Sequence, residues 1–150
     1  MAAAVLWAAA PGAVWPDAVP AGAAVMVAPN AYAGDQVHAA HTFFRVDDEM
    51  CKGPIWPRTL LTYGLFFDNK RGPVRVAPDR RLFIQANSEG TSGSAFRHCN
   101  NIGSFIPEAG HAYEVSQIDA VDSCRLVIVD HASGQEPSSY LAHRVVGPCR

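Results

Sequence analysis

The stretch from residue 99 to residue 130, CNNIGSFIPEAGHAYEVSQIDAVDSCRLVIVD, limits the fold most tightly. Phe105 and Ile106 run into Pro107-Glu108-Ala109-Gly110. Proline presets φ for the entry of a turn, and glycine supplies the positive φ at its exit. His111 to Ser116 then alternates, with Tyr113 and Val115 on one side and Glu114 and Ser116 on the other. That alternation is the mark of a half-buried strand in an antiparallel hairpin. Cys124-Arg125-Leu126-Val127-Ile128-Val129-Asp130 is unbroken, short and β-branched, which suits a central strand covered on both faces. Cys99 and Cys124 flank the turn on neighbouring strands. A disulfide between them closes a loop of about 25 residues and contributes roughly 3 kcal/mol by restricting the unfolded chain.

The rest of the chain has the same grammar. Residues 37–46 (VHAAHTFFRV) read as a first strand, ended by Asp47-Asp48-Glu49. Residues 51–57 are a turn-rich link carrying Trp56. Residues 60–67 are apolar on every face and fit a buried strand or a short helix, with Gly64 and the aromatics favouring strand. Residues 68–73 form a loop, 74–76 a short strand and 77–80 a turn. In residues 81–87, Leu82, Ile84 and Ala86 share one face, and Arg81, Gln85 and Asn87 the other. Residues 88–94 (SEGTSGS) read as a flexible polar loop. Residues 138–146 supply a last strand, with Tyr140, Ala142 and Arg144 facing one way and Leu141, His143 and Val145 the other. About seven short strands in residues 34–150 predict an all-β, antiparallel, immunoglobulin-like β-sandwich in a single domain. A small β-barrel is the alternative.

Cysteine usage bears on the compartment. The 150 residues contain four cysteines, Cys51, Cys99, Cys124 and Cys149, widely spaced and in no zinc-type pair. They predict two disulfides, Cys99–Cys124 and Cys51–Cys149, in an oxidising compartment. The alternative is buried free thiols in a cytosolic protein. Residues 1–33 contain no Lys or Arg and are rich in Ala, Val and Pro. Within them, residues 2–10 and 18–28 resemble the apolar core of a signal peptide, and Ala31-Tyr32-Ala33 resembles its cleavage site, which would leave Gly34 first. The basic start of a signal peptide is missing, so a disordered Ala/Pro-rich leader is the other reading. Neither apolar piece reaches the ~20 residues of a spanning helix. A periplasmic or secreted location follows as the expectation.

Net charge is −2, so no global field argues for nucleic acid. The densest basic region, Lys70, Arg71, Arg75, Arg80 and Arg81 with Arg97, can meet an anionic ligand if its loop and turn lie at one end of the domain. The simpler account is solvated turn residues. His38 and His41 fall on opposite faces of a strand and do not share a metal. His98, His111, His131 and His143 are scattered singly. His98 beside Cys99 has the makings of an activated thiolate, but a disulfide removes that thiol. Gly90-Thr91-Ser92-Gly93-Ser94 is not a nucleophile elbow. Asp47-Asp48-Glu49 lacks the spaced ligands of a calcium loop. No cofactor, metal or catalytic residue is therefore expected, and the chain reads as a non-enzyme.

The pattern VRVAPDRRLFIQA, a polar loop, then C…SFIPEAGHAYEV…CRLVIVD..SGQ resembles small uncharacterised periplasmic proteins and lipoproteins of Gram-negative bacteria. The resemblance covers residues 74–135 and consists of turn and strand grammar. It implies a secreted β-sandwich and brings no catalytic residues. The chain differs from the lipoprotein members in having no lipobox cysteine. The function expected is a monomeric binding or envelope module whose partner is an envelope component or protein. The alternative is an inhibitor of another enzyme, acting through a projecting loop at residues 89–94 or 51–57. A hydrolase would need His98, His111 and an acid brought together.

Overall fold

In a computed structural model of the chain, the structure describes residues 18–28, 40–50, 59–64, 70–92, 95–120 and 123–145. These residues form nine strands and no helix: β1 (Ala24–Val27), β2 (Ala40–Val46), β3 (Thr59–Tyr63), β4 (Val74–Val76), β5 (Leu82–Ser92), β6 (Ala95–Phe105), β7 (Ala112–Ala120), β8 (Ser123–Asp130) and β9 (Leu141–His143). They make two open sheets, ordered β4-β1-β7-β8 and β3-β2-β5-β6-β9. The expected all-β sandwich is thus what forms, and the barrel is not. Nine described strands replace about seven. One pairing, β1 with β7, is parallel where antiparallel pairing was expected throughout.

The core lies between the sheets. Residues directly across a ladder share a face, so Leu82, Ile84 and Ala86 on β5 look inward together with Phe105, Gly103 and Asn101 on β6. Tyr113 and Val115 on β7 look inward with Asp130 and Ile128 on β8. Ala24, Met26, Phe43, Leu61, Ile84, Phe105, Val115 and Ile128 are sealed from solvent in that layer. A smaller apolar cluster of Val46, Ile102, Phe83 and Val145 lies apart from it. By register, Val46, Phe83 and Ile102 belong to the outer face of the five-stranded sheet.

The expected Pro107–Gly110 turn is present. Gly110 has φ +83°, and the His111 amide donates to the Glu108 carbonyl at 3.2 Å. Three expectations change. Residues 24–27, within the stretch read as an apolar leader, form β1, buried between β4 and β7. The folded unit therefore begins before residue 34, and cleavage after Ala33 would remove an interior strand. The physical reason is that a strand buried on both faces has the same unbroken Ala/Val composition as a leader. Second, residues 88–92 are not a loop but the distal half of β5, paired through to Ser92↔Ala95. Third, among the described residues β8 is an edge strand rather than a central one. Its continuous apolar run is accounted for by cover at the edge. The Tyr140 hydroxyl donates to the Leu126 carbonyl at 3.1 Å, and the Asp130 amide donates to the Gln135 carbonyl at 2.9 Å. Both contacts occupy backbone groups that an open edge would expose.

Candidate functional site

Three clusters of polar side chains stand out, and the fold sets each in a different place. The first surrounds the disulfide. Cys99 on β6 is joined to Cys124 on β8, with Cα atoms 5.9 Å apart. The expected pairing is therefore formed, but across the sandwich: the two strands belong to opposite sheets rather than flanking one turn as neighbours. Cys51 and Cys149 lie outside the described residues. Cys99 is 2 % exposed. The side-chain amides of Asn101 and Gln117 both donate toward the sulfurs. Ser88 lies directly across from Cys99. The Ser88 hydroxyl and Gln117 Oε1 are buried with no hydrogen-bond partner among the described residues. This end of the interior is polar, whereas the end at Phe105 and Tyr113 is aromatic, with ring centroids 4.8 Å apart.

The second cluster sits at that aromatic end. His111 Nδ1 is 3.1 Å from Asp130 Oδ2, and Nε2 is 3.8 Å from Glu108 Oε2. Asp130 also accepts from the Ala132 amide at 3.1 Å and the Ser133 hydroxyl at 3.2 Å. The Glu108 amide donates to the Tyr113 hydroxyl at 2.8 Å. Burial raises the Tyr113 phenol above its ordinary value, against the opposing effect of that hydrogen bond. The carboxylate of Asp130 is spent on fixing the 130–133 turn and on orienting His111. The cluster therefore pins the β6–β7 turn to the end of β8.

The third cluster joins β6 to β9. Ser104 Oγ is 2.7 Å from His143 Nε2, and Arg81 Nη1 donates to the same oxygen at 3.0 Å and to the Ser139 carbonyl at 3.1 Å. A serine within hydrogen-bond reach of a histidine has the first element of nucleophile geometry. Here, however, Ser104 is fully buried. Its hydroxyl is occupied by the His143 ring on one side and accepts from the Arg81 guanidinium on the other. The arrangement clamps β9 and residue 139 onto the sheet. Nothing in the spacing of residues 81, 104 and 143 announced it, because only the β6–β9 pairing brings them together.

The remaining sequence candidates are dispersed. His98 stands on β6 opposite Glu89, both exposed, while His111 follows the far end of the same strand. The His98–His111–acid site that hydrolysis would require is not assembled. Lys70 and Arg71 precede β4, Arg75 lies within it, and Arg80 and Arg81 follow it. Lys70 bridges Thr62 on β3, the Arg71 carbonyl accepts from Ala28, and Arg81 is held by Ser104. Asp47-Asp48-Glu49 ends β2, with Asp48 Oδ1 accepting from the Met50 amide at 2.9 Å. Among the described residues no group of three or more His, Cys, Asp or Glu can hold a metal ion. His38, Trp56 and the 51–57 loop lie outside the described residues.

The feature that sequence reasoning misjudged is the end of the β5–β6 hairpin. β2 stops pairing with β5 at Ala40↔Glu89, and β9 reaches β6 only from Ile102 to Ser104. Among the described residues, the rungs Gly90↔Arg97, Thr91↔Phe96 and Ser92↔Ala95 have no strand beside them in the sheet. They close the described part of the β5–β6 hairpin. Phe96 on this hairpin is 69 % exposed. Together the fold and these clusters define a disulfide-linked β-sandwich. No protein-family model, curated protein or solved structure matches the chain.

Proposed function

We propose that the chain is a non-enzymatic binding module of the bacterial periplasm or the secreted space, a rigid scaffold whose loops meet a partner. The observation that carries this is the buried Cys99–Cys124 bond between the two sheets. Bonds of that kind persist in oxidising compartments, whereas thiol-reducing systems keep cytosolic cysteines free. The resemblance of residues 74–135 to small periplasmic and lipoprotein sequences of Gram-negative bacteria points the same way. Among the described residues no helix is long and apolar enough to cross a membrane.

The test is disulfide mapping on protein taken from its native cells and alkylated before lysis. The expected result is a 99–124 cross-linked peptide in the periplasmic or secreted fraction. Alkylated thiols at both positions would refute the compartment. The alternative reading, inhibition of another enzyme through a projecting loop, is favoured by one observation: residues 89–92 belong to an ordered ribbon rather than a loose loop.

A further inference from the structure

We infer that the Cys99–Cys124 bond is a site of thiol–disulfide exchange, in which an external thiolate attacks Cys124 and Cys99 leaves as a thiolate into a nest of buried donors. The inference rests on the bond and its surroundings, not on the reading of the chain as a binding module.

Three observations carry it. The two sulfurs differ in access: Cys99 is 2 % exposed, whereas Cys124 is partly exposed near the start of β8. Exchange begins at the sulfur a nucleophile can reach, and the stability of the leaving thiolate sets its ease. Second, the buried sulfur is surrounded by donors. Gln117 Nε2 lies 2.6 Å from Cys99 Sγ and 3.6 Å from Cys124 Sγ. Asn101 Nδ2 lies 3.3 Å and 2.9 Å from the same two atoms. Ser88 stands directly across from Cys99, and His41 directly across from Ser88, so a buried polar row spans three strands. A disulfide sulfur is a weak acceptor, whereas a thiolate carries a full charge that N–H and O–H donors stabilise. Third, the bonded form leaves groups unmatched. The Ser88 hydroxyl and Gln117 Oε1 are buried without a hydrogen-bond partner, and each such atom disfavours the state that leaves it bare. Opening the bond supplies what they lack: a thiol at Cys99 donates to Gln117 Oε1, and a thiolate there accepts from Ser88. The surroundings thus favour the dithiol, which makes a disulfide easier to reduce.

The co-reactant is a dithiol reductant. Its first thiolate bonds to Cys124 Sγ, the Cys99–Cys124 bond breaks, and the electron pair goes to Cys99 Sγ. Its second thiolate attacks the first and releases Cys124. The reductant ends as a disulfide and two electrons have passed to the protein, with two protons where both thiols are neutral. In an oxidising compartment the bond stays closed until such a reductant reaches it.

The experiment incubates the oxidised full-length protein, under native conditions, with mixtures of reduced and oxidised glutathione. Samples are quenched in acid and alkylated, and the peptides bearing residues 99 and 124 are quantified by mass spectrometry. In the wild type the trapped glutathione adduct is expected on Cys124 and not on Cys99. S88A and Q117M should each lower the equilibrium constant for reduction about tenfold, the effect of one buried hydrogen-bonding group. Q85M is the control. It deletes an amide whose Oε1 is likewise unpartnered but which bonds Asn87 and Asn100 rather than the sulfurs, and it should stay within about twofold of the wild type, as a distant site does. Urea unfolding identifies variants that fold, and the adduct position in the wild type needs no variant. The proposal is overturned by an adduct on Cys99, or by a wild-type bond that resists glutathione until urea unfolds the chain. It is also overturned if a folded S88A or Q117M is reduced as readily as the wild type. Free thiols at both positions in native cells would sink the export reading and leave these results standing, so the two failures are separable.

Discussion

Glu114 lies on the outer face of β7, between Val27 of β1 and Val129 of β8 by register. Burial in that apolar setting raises its carboxyl above the ordinary value of 4.5, with the charge of His131 opposing. A carboxyl whose folded pKa is raised holds its proton longer in the folded state than in the unfolded one. Stability then falls as pH climbs from about 4.5 through the raised value, and levels off once both states are ionised. Glu114→Gln removes that slope. Urea midpoints of the two proteins should coincide near pH 4 and separate toward pH 7, with the variant the more stable. A constant difference across that range would refute the assignment. Gly103 makes a second residue-scale case. A Cβ built there meets Leu126 Cδ2 at 2.8 Å and the Tyr140 ring at 2.9 Å. Glycine lets Tyr140 bridge from β6 to the Leu126 carbonyl of β8. Gly103→Ala should cost about 1–3 kcal/mol, as overpacking of a filled interior does, and urea unfolding reads it directly.

Elements were legible from sequence wherever alternation or turn chemistry fixed them. The 82–86 alternation, the Pro107–Gly110 turn and the half-buried 112–116 strand all stand as expected, because a two-residue period on a half-buried strand has no competing reading. The 138–146 stretch kept its faces but narrowed to β9, Leu141–His143. The failures share one cause: composition was read where partners decide. Ser88 and Gly90 look like loop residues, yet Ser88 is buried because β6 places Cys99 opposite it. Residues 24–28 resemble a leader, yet they are a short apolar run after the Ala21-Gly22 turn and before Pro29, which also signals a buried strand. The Ser104–His143–Arg81 clamp was invisible because it depends on β9 pairing with β6. The β1 correction has a direct consequence. A chain beginning at Gly34 lacks the strand that hydrogen-bonds both β4 and β7. Such a chain should lose cooperative urea unfolding altogether. In the full chain, Met26→Asp should destabilise by more than about 3 kcal/mol, because it buries an unpaired charge. A 34–150 fragment with a sharp native transition would show that β1 is dispensable.

At the scale of the molecule, what joins the two sheets differs from end to end. The aromatic end is held by Phe105 against Tyr113 and by the His111–Asp130 contact. The other end has Ser88, Asn101 and Gln117 where a sandwich normally places apolar side chains. Burying those groups gains little from dehydration, and the orphaned Ser88 hydroxyl and Gln117 Oε1 each work against the fold. The covalent bond offsets this, and it stands at the end of the sandwich where β5 and β6 turn into each other. Cys99→Ala with Cys124→Ala should therefore cost roughly 3 kcal/mol from the released loop. A further cost of about 1–3 kcal/mol should come from the Asn101 and Gln117 amides left without sulfur acceptors. The position of the loss is the sharper expectation. Amide hydrogen exchange in the double variant should accelerate first from Ser88 to Ser92 and from Ala95 to Asn101, while Tyr113, Val115 and Ile128 keep their protection, since local opening begins where packing is weakest. Uniform acceleration across both sheets would mean that the bond stabilises the sandwich as a whole and does not brace the β5–β6 hairpin.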